Sequence, residues 1–294
     1  MRFFVTGASG FIGSAVVAEL RGAGHEVVGL TRSEAGEAAV AALGAEPVRG
    51  TIEDTDLLHD VAERADGVIH LAFNHDFSRF AESAREEAAV IAALGDALAG
   101  TGHPLTVASG TMGLAPGRIA VESDIPTPNS NPRSTAWNAA LALAGRGVRA
   151  TAVRLAPSVH DTSRAGFGSV LIESAQRAGV SGYVDGGEQR WPAVHVTDAA
   201  KLFRLAAEKG EAGKAYHAVG EQGVKVREIA DAIGRRLGLP VQSVPAGEAS
   251  ERFGFVAGPI SIDSPASSEW TRQALGWTPT GPGLLADLAR WELS

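Results

Sequence analysis

The stretch Thr6-Gly7-Ala8-Ser9-Gly10-Phe11-Ile12-Gly13 lies between an apolar run, Arg2 to Val5, and a segment, Ser14 to Arg21, whose apolar residues recur at helical spacing. A glycine-rich turn joining a strand to a helix presents backbone N–H groups and the positive end of the helix dipole to an anion. Glycines are needed there because a side chain would block the tight turn, the approach of a ligand or the packing of helix on strand. The turn therefore predicts a dinucleotide whose pyrophosphate rests on Gly7, Ser9, Gly10, Phe11 and Ile12.

Downstream, strand and helix alternate at the rhythm of a parallel sheet. Strands are expected at residues 3–6, 26–31, 46–49, 67–71, 104–108 and 148–155, with helices at 12–23, 34–43, 54–64, 76–98 and 132–145. Continuous apolar runs such as Val68-Ile69-His70-Leu71 are expected where helices cover both faces of a sheet. The second half is less regular. A helix after Val194, a strand over 215–219, an amphipathic helix over 226–237 and two short helical runs in the tail point to a smaller C-terminal lobe. Gly186-Gly187-Glu188 reads as a hairpin turn. The expected fold is an α/β Rossmann doubly wound parallel sheet of residues 1–157 and 192–220, with a substrate lobe of 158–191 and 221–294.

Composition narrows the function. A net charge of −8 without a block of Lys or Arg gives no electrostatic support for nucleic acid or an anionic membrane. No apolar run approaches the ~20 residues of a membrane helix, and no signal peptide is recognisable, so the cytoplasm is the expected location. The absence of cysteine excludes disulfides, thiolate nucleophiles and Cys-based metal sites, and no metal centre is expected. Asn74-His75-Asp76 reads as a helix start rather than a ligand set, and His195 and Asp198 read as structural.

The end of the second strand selects the cofactor. It reads Gly29-Leu30-Thr31-Arg32-Ser33, without the acidic residue that would accept an adenosine ribose hydroxyl. Arg32 offers a planar fork that matches a 2′-phosphate, and Thr31 and Ser33 add hydroxyls. NADP(H) is the expected cofactor.

Taken together, these segments resemble the extended and atypical short-chain dehydrogenase/reductases, relatives of the NAD-dependent epimerase/dehydratases. Thr6–Gly13 resembles the family's TGxxGxxG turn, and Asp54 its adenine-contacting acid. His70-Leu71-Ala72, with Phe73 after it, resembles the segment lying along the cofactor, and Val107–Thr111 the hydroxyl-bearing strand end that places Ser109 beside it. Val153-Arg154-Leu155 and Val194–Asp198 resemble later landmarks in the same order. The resemblance implies hydride transfer assisted by a Tyr whose pKa is lowered by a Lys four residues later. This chain departs from that pattern. Its two tyrosines, Tyr183 and Tyr216, are followed four residues later by Gly187 and Gly220, and Arg133 and Trp137 stand where the pair is expected.

Other groups must then handle the substrate oxygen. Ser109 and Thr111 can hydrogen-bond it, His75 and His160 follow strand ends and titrate in a useful range, and Arg133 can bind a carboxylate or carbonyl but not donate a proton. Phe73, Phe77, Phe167 and Trp191 are candidates to wall the pocket. The expected function is an NADPH-dependent reductase of a small ketone or aldehyde with a proton route other than Tyr. Two alternatives stay open: an NADP-binding redox sensor without turnover, and a sugar-nucleotide epimerase or dehydratase. The Ala-rich helices at 76–98 and 132–145 suit a homodimer, the arrangement the resemblance implies.

Overall fold

The computed structural model describes residues 1–74, 80–126 and 134–292, with the side chains of residues 80–81 and 134–136 left out of the description. Seven parallel strands form the main sheet: β1 (Arg2–Thr6), β2 (Glu26–Thr31), β3 (Glu46–Arg49), β4 (Gly67–His70), β5 (Pro104–Gly110), β6 (Arg149–Leu155) and β10 (Lys214–Ala218). Their spatial order is β10-β6-β5-β4-β1-β2-β3. The chain thus runs outward from β1 to β3, returns, and continues from β4 on the other side of β1. This reversal opens a crevice at the carboxyl ends of β1 and β4.

Helices α1 (Phe11–Gly22), α2 (Glu34–Ala42), α3 (Thr55–Glu63), α4 (Phe80–Ala97), α5 (Ser134–Ala144) and α7 (Val196–Lys209) flank this sheet. Side chains alternate across each strand, so Phe3, Val5, Ile69 and Val153 pack with α1 and α7, while Phe4, Val68, Leu105 and Val107 pack with α3, α4 and α5. Covered on both faces, the strands have no polar side, which is why they read as apolar runs.

The lobe is built from β7 (Ser158–His160), α6 (Phe167–Ala178), β8 (Ser181–Val184), β9 (Arg190–His195), β11 (Glu221–Lys225), α8 (Val226–Leu237) and β12 (Val241–Val244). Helices α9 (Ala249–Phe253), α10 (Ala257–Ile260), α11 (Glu269–Leu275) and α12 (Leu284–Ala289) complete the chain. Strand β9 lies between β7 and β11, so residues 192–195 belong to this small sheet and not to the main one. Strand β8 pairs in parallel with β12. The Gly186-Gly187 turn therefore links two different sheets and is not the expected hairpin: β8 finds its partner some 60 residues later, not in β9.

Helix α8 shows how the lobe packs. Val226, Ile229, Ala230 and Ile233 are buried at helical spacing. The Glu228 carboxylate accepts the Lys225 N–H (3.1 Å) at its start, and Gly238, at φ +67°, closes it. Asp198, in the first turn of α7 and buried, accepts N–H bonds from Thr280 (2.9 Å) and Gly281 (2.8 Å) and so holds the tail against the sheet. No described helix is long and apolar enough to cross a membrane.

Candidate active site

The crevice begins with the three glycines of the first turn. Gly7 has φ +70°, a conformation that favours glycine, and a Cβ on it would come within 2.9 Å of the Ala72 nitrogen. A Cβ on Gly13 would lie 2.8 Å from the Gly7 carbonyl carbon and closer still to its oxygen, so helix α1 sits directly on the turn. Gly10 begins α1 without a side-chain cap, and the first turn contains no acidic residue. Among the described residues no side chain caps this 12-residue helix, whose N-terminal N–H groups and dipole face the crevice. Helices α2, α3 and α7 differ in having a capping side chain and an acid in the first turn. The cradle therefore fits a dinucleotide pyrophosphate, with Ser9 and Gly10 exposed at its mouth.

Thr6 and His70 fix the floor. The Thr6 hydroxyl accepts the N–H groups of Leu71 (3.2 Å) and Ala72 (3.2 Å), so its single proton goes to His70 Nδ1 (2.7 Å). The imidazole is therefore the Nε2–H tautomer. Leu71, Ala72 and Phe73, all partly exposed, continue along the crevice.

At the end of β2, Thr31 is buried, and Arg32 is exposed with no hydrogen bond or ion pair among the described residues. A Cβ on Gly36 would touch Thr31 Cβ (3.0 Å) and Ser9 Oγ (3.1 Å), which places the turn and the β2 end side by side. The Ser33 hydroxyl accepts the Gly36 N–H (3.2 Å) as the cap of α2, and Asp54 likewise accepts the Leu57 N–H (3.3 Å) as the cap of α3. Each keeps hydrogen-bonding capacity beyond its cap.

The expected catalytic groups fare unequally. Ser109, 8% exposed at the end of β5, faces the α4–α5 side by alternation with Leu105 and Val107. Thr111 is fully buried, and its hydroxyl (3.3 Å) and N–H (3.0 Å) both donate to the Leu155 carbonyl. Its hydroxyl staples β5 to β6 and is not available to a substrate. His160 is also displaced from its expected role. It is fully buried in β7, Nδ1 donates to Asp287 Oδ2 of α12 (2.8 Å), and burial holds its pKa below the usual histidine value. A side chain sealed between β7 and α12 cannot deliver a proton into the crevice. His75 and Arg133 lie outside the described residues, as does Phe77.

Where the resemblance puts a Lys, Trp137 is buried, and the Arg154 guanidinium lies 5.7 Å from its ring centroid. Arg154 Nη1 donates to the Glu122 carbonyl (3.2 Å) and to His217 Nε2 (3.3 Å), while His217 Nδ1 donates to the Ser267 carbonyl (2.7 Å). Burial lowers Arg154 to about 10 and His217 to about 4, so at neutral pH the pair is a cation beside a neutral imidazole. The Glu122 carboxylate accepts the Thr271 N–H (2.8 Å) and hydroxyl (2.6 Å). A hollow of about 610 Å³, lined by Trp137, Leu141, Arg154, Lys214 and Trp270 among others, opens beside this network on the β10 edge. Sequence reasoning missed this network. Its visible signal was a charge, Arg154, between the apolar Val153 and Leu155 at the end of a strand.

A family model described as the NAD dependent epimerase/dehydratase family matches residues 3–219. The chain is 49% identical over 291 residues to the uncharacterized protein C2A9.02 of Schizosaccharomyces pombe, covering 98% of each chain. It is 30% identical to 4-hydroxy-2-methyl-3-oxo-4-farnesyl-3,4-dihydroquinoline-1-oxide ketoreductase of Stigmatella aurantiaca, over 78% of this chain and 71% of that one. Among solved structures, MoeE5 in complex with UDP-glucuronic acid and NAD superposes with a TM-score of 0.77 at 25% identity, covering 99% of this chain and 97% of the other. With its doubly wound sheet and glycine cradle, the chain belongs to the NAD-dependent epimerase/dehydratase family.

Proposed function

We propose that the protein is an NADPH-dependent oxidoreductase that reduces a small ketone or aldehyde. The observation that carries the cofactor assignment is Arg32, exposed and without a partner among the described residues, at the end of a β2 strand that ends without an acid. The likeness to a ketoreductase and to an NAD-bound structure supports the same class.

A nicotinamide held in the crevice would supply the hydride that reduces the carbonyl carbon. The chain's part is to bind and polarise. Gly7, Ser9, Gly10, Phe11 and Ile12 would hold the pyrophosphate and Thr31, Arg32 and Ser33 the 2′-phosphate, with Asp54 toward the adenine and Leu71, Ala72 and Phe73 along the crevice wall. The Ser109 hydroxyl donates to the substrate oxygen as negative charge develops on it. The proton that completes the alcohol comes from solvent water, since Thr111 and His160 are otherwise engaged. Arg133 keeps the role expected from sequence, binding a carboxylate or carbonyl oxygen, and on this reading water takes the proton-donor place expected of His75. Epimerase or dehydratase chemistry is disfavoured because it begins by removing a proton from an alcohol, and the family's Tyr is missing from this helix.

One observation favours a second reading, an NADP-binding regulatory protein without turnover: Trp137 and Arg154 fill the place of the Lys. Fluorescence titration tests the cofactor. NADPH should bind at least about tenfold tighter than NADH, and Arg32→Ala should remove most of that preference. Equal affinities or tighter NADH binding would overturn the assignment. Anaerobic NADPH oxidation against a panel of carbonyls tests the reaction. Turnover that falls by about a hundredfold in Ser109→Ala supports the reductase. No turnover above that variant's background points to the regulator.

A further inference from the structure

Resting on the reductase reading, we infer that the substrate carries its carbonyl on an aromatic or alicyclic ring, received by a wall built from Phe167 and Phe255. The two rings meet edge to face, with centroids 6.3 Å apart at 72°, and Phe167 also meets Trp191 at 5.9 Å and 61°. Trp191 is fully buried and anchored through its indole N–H to the Pro259 carbonyl (3.2 Å), whereas Phe255 keeps 47% of its surface exposed. The wall thus has a fixed back, and its Phe255 side keeps surface in contact with solvent.

Two glycines aim the rings. Gly166, just before Phe167, has φ +55° and ψ −123°; Gly254, just before Phe255, has φ +58° and ψ −131°. This region is essentially closed to residues with a side chain. At Gly254 a Cβ would meet nothing within 4 Å, so the backbone conformation alone calls for glycine there. The same unusual geometry, used twice, turns one aromatic residue from α6 and one from the segment between α9 and α10 toward each other.

The wall stands at the ligand end of the sheet. The Phe167 N–H donates to the Pro157 carbonyl (3.2 Å), two residues beyond the end of β6, and a Cβ at Gly166 would collide with that same group. Met112, three residues after Ser109, packs on the same apolar cluster as Phe167. The next N–H, of Gly113, donates to Ser264 Oγ (3.0 Å) and ties the loop after β5 to the lobe. The polarising hydroxyl and the aromatic wall are therefore joined by a short, anchored loop.

Charge argues in the same direction. A nucleoside diphosphate draws on available cations, and Arg190, next to Trp191 in the chain, is not one of them, being held by Asp263 through Nε (3.0 Å) and Nη2 (2.7 Å). An apolar ring loses water on this surface and gains edge-to-face contact.

Steady-state rates with NADPH and either benzaldehyde or butanal test the inference, together with calorimetric titration of both aldehydes and of UDP-glucose into NADP⁺-saturated protein. The wild type should favour benzaldehyde over butanal at least about tenfold in kcat/KM and in Kd. Phe255→Ala and, independently, Phe167→Leu should each cut that ratio several-fold, chiefly through KM, while Arg177→Ala on the solvent side of α6 keeps it. Thermal melts confirm that the variants are folded. A ratio near one, a ratio that neither variant moves, or UDP-glucose binding tighter than benzaldehyde overturns the inference. Absence of turnover on every carbonyl overturns the reductase reading instead, and the ratio of the two Kd values then decides the ring preference by itself.

Discussion

Helix α1 contains two glycines whose replacement by alanine should act in opposite directions. At Gly13 the added methyl carbon would lie 2.8 Å from the Gly7 carbonyl carbon and 3.1 Å from that of Ala8. Carbon atoms rest at about 3.5 Å or more, so the helix must retreat from the turn by at least about 0.7 Å. Both contacts are backbone, which cannot rotate out of the way. Overpacking of this kind costs about 2–3 kcal/mol, or a Tm lower by roughly 5–10 °C in a chain of this size. The retreat also withdraws the N-terminal N–H groups from the pyrophosphate, so NADPH affinity should fall at least about tenfold. At Gly22, the last residue of the same helix, the methyl would meet nothing within 4 Å. Gly22→Ala should therefore raise stability by about 0.5–1 kcal/mol, because the unfolded chain loses freedom, and leave NADPH affinity unchanged. Differential scanning fluorimetry and fluorescence titration of the two variants read both quantities. Were Gly13→Ala as stable as the wild type with full affinity, the close seating of α1 on the turn would be wrong, and with it the account of the cradle.

Two stability effects follow from buried polar groups. Burial holds His217 at about 4 in the folded protein, against about 6.5 unfolded. Between those values the unfolded chain binds the extra proton, so stability is full above about pH 6.5 and declines as pH falls toward 4, by about 3 kcal/mol. Urea melts of wild type and His217→Gln across pH 4–7.5 should differ in slope in that direction, and parallel curves would refute the assignment. At Asp198, replacement by Asn puts an N–H₂ against the N–H of Thr280 or Gly281. The loss should be about 2–3 kcal/mol in urea melts, with faster hydrogen exchange over residues 277–284; a change within about 0.5 kcal/mol would refute the docking role.

The main sheet was legible because its information is local. Val68 and Ile69 are apolar on opposite faces of β4, Leu105 and Val107 are apolar on one face of β5, and glycines punctuate the helices between the strands. The tail helices and α8 were legible for the same reason. The small sheets were not: β7 spans three residues, and β8 finds its partner in β12, so neither carries a periodic signal. His160 shows the consequence for the site. Its position after a strand suggested an accessible acid, but Asp287, 127 residues later, covers it. Thr111 and Ser109 look equivalent in sequence, and only the geometry of the Leu155 carbonyl separates them. Phe255 escaped notice because the short, aperiodic Phe253-Gly254-Phe255 stretch says nothing until its spatial neighbour Phe167 is known.

On the reductase reading, Arg154, the neighbour of Ser109 across β5 and β6, bears on the chemistry through its position. A buried cation held by one carbonyl and one neutral imidazole gains little net stability. Its effect is geometric. Through Glu122 and His217 it ties the loop after β5 and the segment 267–271 to the sheet edge under Trp137. Trp137 stands where the resemblance puts a lysine, so no lysine at that position lowers the pKa of a neighbouring group. General acid catalysis contributes typically 10²–10⁴-fold, so on the reductase reading a carbonyl that relies on Ser109 and water must supply that difference through its own reactivity. An aldehyde, or a ketone flanked by an electron-withdrawing group, develops its alcohol with less demand on a proton donor than a plain dialkyl ketone. The ring bound by Phe167 and Phe255 then acts by positioning, since holding the carbonyl close to Ser109 is the rate advantage left to a site without the Tyr–Lys pair.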